Sequence, residues 1–189
     1  MRLALLGLTL IATFSSPAFA HTGLDHVDSL ESGVLHPMTG ADHVFVMASV
    51  GVWAALVGGR AIWARPVAFV AAMLAGFAAA RLGLQISFVE PAISVSVVAL
   101  GLLIAVGIKT PLALGAAIVG LFAFFHFHAH GTEATAAGIL PYAAGFTLST
   151  AVLHAAGVGL GLGARGLVER ITRVPRRMRN AAASDGALR

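Results

Sequence analysis

Side chains that can bind a divalent transition metal lie at the start of one long apolar segment and at the end of another. They fall in two short stretches, "HPMTGADH" and "FFHFHAHG", which contribute His36, Asp42 and His43, and His126, His128 and His130. Imidazole nitrogens and carboxylate oxygens are ligands for such ions. Because ionisable groups are costly beside lipid, their presence here predicts a functional site.

The spacing within each stretch allows several ligands to face one ion. His36 and His43 are seven residues apart, so in one continuous helix they share a stripe, with Asp42 beside it. His126 and His130 form an i, i+4 pair that can chelate an ion from a helix. In an extended chain all three histidines of this second stretch point the same way instead. Both conformations predict a cluster of imidazoles.

Two further candidate ligands lie on other apolar segments. Glu90 forms a polar stripe with Ser87 and Ser94, and His154 follows Thr150 by one helical turn. Such stripes either line a path through the membrane or bond their own helix backbone. We expect Glu90 to compensate the charge of a bound ion and His154 to relay an ion or a proton inward.

The composition places these residues in a membrane protein. Of the 189 residues 58% are hydrophobic and only 11% charged, and the mean hydropathy is +0.91. There is no cysteine, which excludes disulfides and thiolate metal sites. The net charge of +4 does not indicate nucleic-acid binding, because the basic residues flank apolar segments.

The N-terminal residues 1–20 have the pattern of a cleaved signal peptide. A basic start at Arg2 precedes a short apolar core, and "AFA" ending at Ala20 provides the small residues of a cleavage site. The mature chain then begins at His21. The alternative, an uncleaved first span, requires about 20 apolar residues, and this core is shorter.

Hydropathy then predicts an all-α, polytopic transmembrane bundle of about five helices. An acidic, histidine-rich periplasmic segment, 21–35, precedes the bundle at 36–163, and a basic cytoplasmic tail, 164–189, follows it. A proline lies at or near the start of most spans, as Pro37 does in the first. The predicted spans are 37–58, 66–84, 88–107, 111–129 and 137–163.

The distribution of basic residues predicts the orientation of the bundle. With the mature N-terminus outside, every lysine and arginine from Arg60 onward except Arg81 falls on the cytoplasmic side. This split follows the positive-inside rule and predicts a multi-pass protein of a bacterial inner membrane, with the C-terminus inside. Both histidine stretches then lie at the outer mouth.

The segment "HPMTGADHVFVMASVGVWAALVGGRAIW" resembles the signature region of the HupE/UreJ family. The likeness continues through "VEPAISVSVVALGLL", "FAFFHFHAHG" and "LHAAGVGLGL", to about residue 163. The resemblance implies a nickel or cobalt permease associated with hydrogenase and urease systems. By this resemblance His36, Asp42 and His43 match the family's His-Pro-x-x-Gly-x-Asp-His motif, and the stretch 126–130 matches its second histidine cluster. Glu90 and His154 fall on family-like segments.

The predicted function is uptake of a divalent metal, nickel first and cobalt second, from periplasm to cytoplasm. The metal is the transported substrate, and we expect no tightly bound cofactor and no catalytic residue. We expect the protein to contact the lipid bilayer and to have no nucleic-acid partner. Helix faces rich in small residues permit a homo-oligomer. Two alternatives remain open: an intramembrane metal-dependent hydrolase with Asp42 or Glu90 as general base, and a non-transporting metal sensor or accessory protein.

Overall fold

A computed structural model describes residues 29–131 and 138–186. These ranges form helices and contain no strand, which confirms the all-α prediction. The predicted signal peptide, together with His21 and His26, lies outside the described residues. The helices are α1 (Leu30–Thr39), α2 (Ala41–Val57), α3 (Ala61–Arg81), α4 (Val89–Ala105), α5 (Leu112–Gly131) and α6 (Ile139–Gly186).

Several of these helices are long and apolar enough to cross a membrane. In the described residues α3, α5 and the stretch Ile139–Thr172 of α6 meet that requirement singly, and α1 with α2 meets it as a pair bent by 83°. Helix α4 is apolar but has only 17 residues. Each of the five predicted spans overlaps one helix or the bent pair. The chain is a multi-pass membrane protein, and the number of spans and their orientation stay predictions.

The first predicted span is interrupted at Gly40. The sequence predicts a helix start near Pro37, whereas Pro37 lies inside α1 and α2 begins four residues later. Proline gives no backbone N–H to the helix and so weakens the last turns of α1. Gly40 then adopts an extended conformation, φ −86° and ψ 116°, which ends α1 and turns the chain into α2.

The helices pack in closely spaced pairs. Helix α3 lies against α5, α1 and α2 lie against α6, and α4 covers α2 and α5. Small residues permit this approach: a Cβ at Gly76 would collide with the carbonyl of Phe124, and one at Gly157 with the carbonyl of Ala48. In lipid the hydrophobic effect does not drive helices together, so van der Waals packing between closely spaced backbones stabilises these pairs.

A column of buried side chains runs along the centre of the bundle. His43 lies near the start of α2 and Trp53 near its end, about 15 Å apart along the helix axis, and both are 1% exposed. Between them Met47, Phe69 and Met73 are equally buried. The core therefore holds the imidazole of His43 at one end and the buried indole of Trp53 at the other.

Candidate metal centre

Three helices bring five of the predicted ligands into one cluster. Helix α1 supplies His36, α2 supplies Asp42 and His43, and α5 supplies His126 and His130. The ring centroids of His36 and His130 are 4.4 Å apart, and those of His43 lie 5.2 Å from His126 and 5.1 Å from His130. In the sequence His43 is 83 residues from His126, and His36 is 94 residues from His130. The fold nevertheless brings the two histidine stretches into a single site.

His43 occupies the middle of this cluster. Its Nδ1 is 3.0 Å from Asp42 Oδ1, and its Nε2 is 3.0 Å from His130 Nε2. In the tautomer in which Nδ1–H donates to the carboxylate, Nε2 accepts from His130. The carboxylate thereby fixes the ring, an arrangement typical of metal-binding histidines.

The cluster contains two overlapping groups of donors that can each hold an ion. One group is His36, His43 and His130, and the other is Asp42, His43 and His126. Within each group the ligand atoms all lie within 4.8 Å of one another. His43 is common to both, so a substitution there affects every ligand set in the cluster.

Buried ligand atoms of His126 and Asp42 have no hydrogen-bond partner among the described residues. His43, His126 and His130 are each 1% exposed. Neither ring nitrogen of His126 has a partner in the described part of the chain, and neither has Asp42 Oδ2, which is 3.9 Å from His126 Nε2. A buried polar group left in this state costs about 1–3 kcal/mol. Coordination to an ion would satisfy these atoms, so the donor set fits a divalent metal.

The helix break at Gly40 is part of the site's construction. A Cβ at this position would lie 2.7 Å from His43 Nδ1 and 3.0 Å from Asp42 Oδ1. Both contacts are closer than ordinary van der Waals separation. The glycine of the "HPMTGADH" stretch therefore leaves room for the two ligands that follow it, while the bend carries His36 over the end of α5.

An aromatic wall closes one side of the cluster, and sequence reasoning missed it. The ring of Phe146 on α6 lies 5.7 Å from that of His43 and 5.8 Å from those of His36 and His130. Phe127 packs behind it at 4.3 Å. Apolar walls of this kind exclude water and strengthen electrostatic interactions with the ligands. The only signal in the sequence was the aromatic pair Tyr142 and Phe146, one helical turn apart.

His128 lies apart from the cluster. Its Nε2 is 2.7 Å from the carbonyl oxygen of Leu84, and its ring stacks on Phe124. Of the two conformations left open by the sequence, the helical one is present, and a helix turns His128 away from the face shared by His126 and His130. The ring donates Nε2–H to the Leu84 carbonyl in the loop after α3, so this histidine ties α5 to that loop.

Glu90 and His154 also lie outside the cluster. Glu90 is exposed in the first turn of α4, and the neighbouring Ser87 and Ser94 are exposed with it, so this stripe faces away from the packed interior. His154 is 2% exposed, and its Nδ1–H donates to the carbonyl of Thr150 at 2.8 Å. It follows Phe146 by eight residues, about 12 Å further along α6. Its Nε2 has no partner in the described residues.

Comparison with known proteins identifies the family of the chain. A sequence model of the family described as "HupE / UreJ protein" matches residues 8–184. Protein HupE of Rhizobium leguminosarum bv. viciae is 42% identical over 155 residues, which cover 80% of this chain and 81% of that protein. No solved structure matches the chain significantly. The chain belongs to the HupE/UreJ family.

Proposed function

We propose that this protein is a permease that carries nickel, and with lower preference cobalt, across the inner membrane into the cytoplasm. The imported metal would supply enzymes such as hydrogenase or urease. The observation that carries the proposal is the central position of His43, which contacts both Asp42 and His130 and belongs to both donor groups. The family, which is associated with nickel and cobalt uptake for these enzymes and is not a known enzyme family, supports the same function.

The donor set suits a divalent transition metal. Imidazole nitrogens and carboxylate oxygens are ligands for nickel, copper and zinc. Within each donor group the ligand atoms lie within 4.8 Å of one another, so one ion can contact all three. The preference for nickel in the proposal is taken from the family's association with nickel and cobalt uptake.

The sharing of His43 suggests how an ion enters and moves on. An ion held by Asp42, His43 and His126 can pass to His36, His43 and His130 by exchanging two ligands while His43 stays in place. Each exchange is a small step because the donors of both groups are already close together. This lowers the barrier relative to complete release of the ion into an apolar core.

The remaining predicted residues enter the proposal outside the cluster. Glu90 is exposed and its charge attracts cations towards the protein. His154, buried further along α6, relays the ion or a proton inward, whereas His128 holds α5 to the loop after α3. The membrane potential supplies about 2.3 kcal/mol per charge per 100 mV, hence about 4.6 kcal/mol for a divalent ion.

Radioactive nickel uptake into proteoliposomes with an inside-negative potential tests the proposal. We expect the wild-type protein to accumulate nickel, with cobalt as the best competitor among cobalt, zinc and copper. The His43→Ala protein should insert normally and accumulate none. His128→Gln is the matched control, because it alters a histidine of the second stretch outside the cluster and keeps a donor for the Leu84 carbonyl.

The outcome also separates transport from the remaining alternatives. Normal uptake by His43→Ala would refute the role of the cluster. Tight binding of nickel by the wild-type protein without accumulation would indicate a metal sensor or accessory subunit and would refute transport. Loss of uptake in both variants would show a general requirement for histidines in this region rather than a site centred on His43.

A further inference from the structure

A buried arginine lies at the end of the bundle opposite to the histidine cluster. Arg65, in the first turns of α3, is 0% exposed. Its guanidinium lies over the ring of Trp53, with Cζ 3.7 Å from the ring centroid. No carboxylate among the described side chains pairs with it, and its Nε has no hydrogen-bond partner among them. An unpaired charge inside a membrane protein is costly and marks a functional position.

Three other parts of the chain form a slot for this guanidinium. Nη2–H donates to the hydroxyl of Thr110 at 2.7 Å, and Nη1–H donates to the carbonyl of Trp53 at 3.4 Å. The indole of Trp53 is itself fixed by a 2.9 Å hydrogen bond to the carbonyl of Ile108. Gly115 completes the slot, since a Cβ there would lie 2.5 to 2.8 Å from the guanidinium atoms. The slot therefore joins α2, α3, the α4–α5 loop and α5.

Polar and soft atoms lead from the core towards this slot. The hydroxyl of Thr150 contacts Met73 Sδ at 3.7 Å, and His154 follows one turn later with its Nε2 unpartnered among the described residues. The ring of His154 lies 4.9 Å from Phe69, and Phe69 is one turn from Arg65 on the same buried face of α3. Phe69 thus connects the ring of His154 to the turn of α3 that carries Arg65.

We propose that Arg65 is the residue that closes the far end of the ion path and must leave its slot for each ion that passes. This inference rests on the proposed transport function. The guanidinium repels a divalent cation in a region of low dielectric, and its stacking on Trp53 holds α2, α3 and α5 together while the path is closed. Ion passage then requires the Trp53 and Thr110 contacts to break, which makes Arg65 a determinant of when the inner end opens.

The absence of cysteine from the chain permits a direct test with a single reporter. Ala61 is 3% exposed and lies one turn before Arg65 on the buried face of α3. The reaction of an Ala61→Cys protein with a maleimide in detergent reports opening at this end. The labelling rate follows the population of the open state. We therefore expect slow labelling of Ala61→Cys without nickel and faster labelling with nickel. Without nickel, labelling in the Arg65→Gln background should be about tenfold faster than in the protein that retains Arg65.

A second pair of variants perturbs the slot while Arg65 is retained. Gly115→Ala places a methyl group against the guanidinium and should also speed labelling of Ala61→Cys. Gly120→Ala on the same helix is the matched control, because its Cβ would meet Ala72 only at the ordinary distance of 3.5 Å. Arg60→Gln removes an exposed arginine from the same end and should change nothing.

Further measurements separate closure from a purely structural role. Ala123 is 0% exposed in the middle of α5, and an Ala123→Cys reporter reacts only when the bundle loosens as a whole. Nickel transport by Arg65→Gln should be at least as fast as by the wild type, since the histidine cluster is untouched. Unchanged labelling of Ala61→Cys, equal acceleration at Ala123→Cys, or loss of transport in Arg65→Gln would each overturn the inference. Failure of the wild-type protein to transport nickel would instead refute the proposed function.

Discussion

Replacing Gly40 by alanine should damage the metal site without damaging the fold. The new Cβ would lie 2.7 Å from His43 Nδ1, about 0.7 Å closer than the start of ordinary van der Waals contact at 3.4 Å. Metal ligands must be held to within about 0.5 Å of their working positions. We therefore expect His43 and Asp42 to shift by more than the site tolerates, and nickel affinity to fall about 10- to 100-fold, or about 1.4–2.7 kcal/mol.

The backbone itself gives no reason for a loss of stability. Gly40 has φ −86° and ψ 116°, which alanine adopts without strain. Calorimetric titration of purified protein with nickel, alongside thermal unfolding of the metal-free protein, separates the two effects. Gly101→Ala on α4, where no atom lies within 4 Å of the added Cβ, is the control. Wild-type nickel affinity in Gly40→Ala would refute the packing of Gly40 against His43.

Four further substitutions test other parts of the structure. His36→Ala and His126→Ala each remove one of the two donor groups, so each should weaken nickel binding less than His43→Ala does; calorimetry in which either variant equals His43→Ala would contradict two overlapping groups. Asp42→Asn keeps the size of the side chain but removes its charge, so it should lower the nickel affinity and make that affinity depend less steeply on salt. Nickel affinities equal to those of the wild type at two salt concentrations would argue against carboxylate ligation. Gly76→Ala forces α3 and α5 apart at the Phe124 carbonyl and should lower the free energy of unfolding by about 1–3 kcal/mol; unchanged thermal unfolding would show that the two helices can relax.

The ligands could be predicted from local spacing, but their three-dimensional arrangement could not. His126 and His130 share a helix face because they are four residues apart, and the helix that forms there is enough to turn His128 away. His36 and His43 meet for a different reason from the one that the sequence suggests. They lie on two helices bent by 83°, because Gly40 leaves the helical conformation, and not on one continuous stripe.

The parts of the site that depend on distant chain segments were beyond sequence reasoning. Phe146 faces the histidines only because α6 packs on α1 and α2, and no local pattern identifies its partners. Arg65 was assigned only to the positive-inside pattern, since its burial depends on Trp53, Thr110 and Gly115 from three other parts of the chain. Apolar periodicity predicts which residues face inward in a helix. It does not predict which inward faces meet.

The dependence of nickel accumulation on membrane potential tests transport through the His43 cluster most directly. The wild-type protein would be reconstituted into vesicles that contain no metal, and a series of inside-negative potentials would be imposed. The internal and external nickel concentrations would then be measured at steady state. Transport of a divalent ion through the cluster predicts accumulation that rises about tenfold for each 30 mV of potential. It also predicts no accumulation by His43→Ala at any potential. Nickel that stays bound to the protein without entering the vesicle at any potential would contradict it.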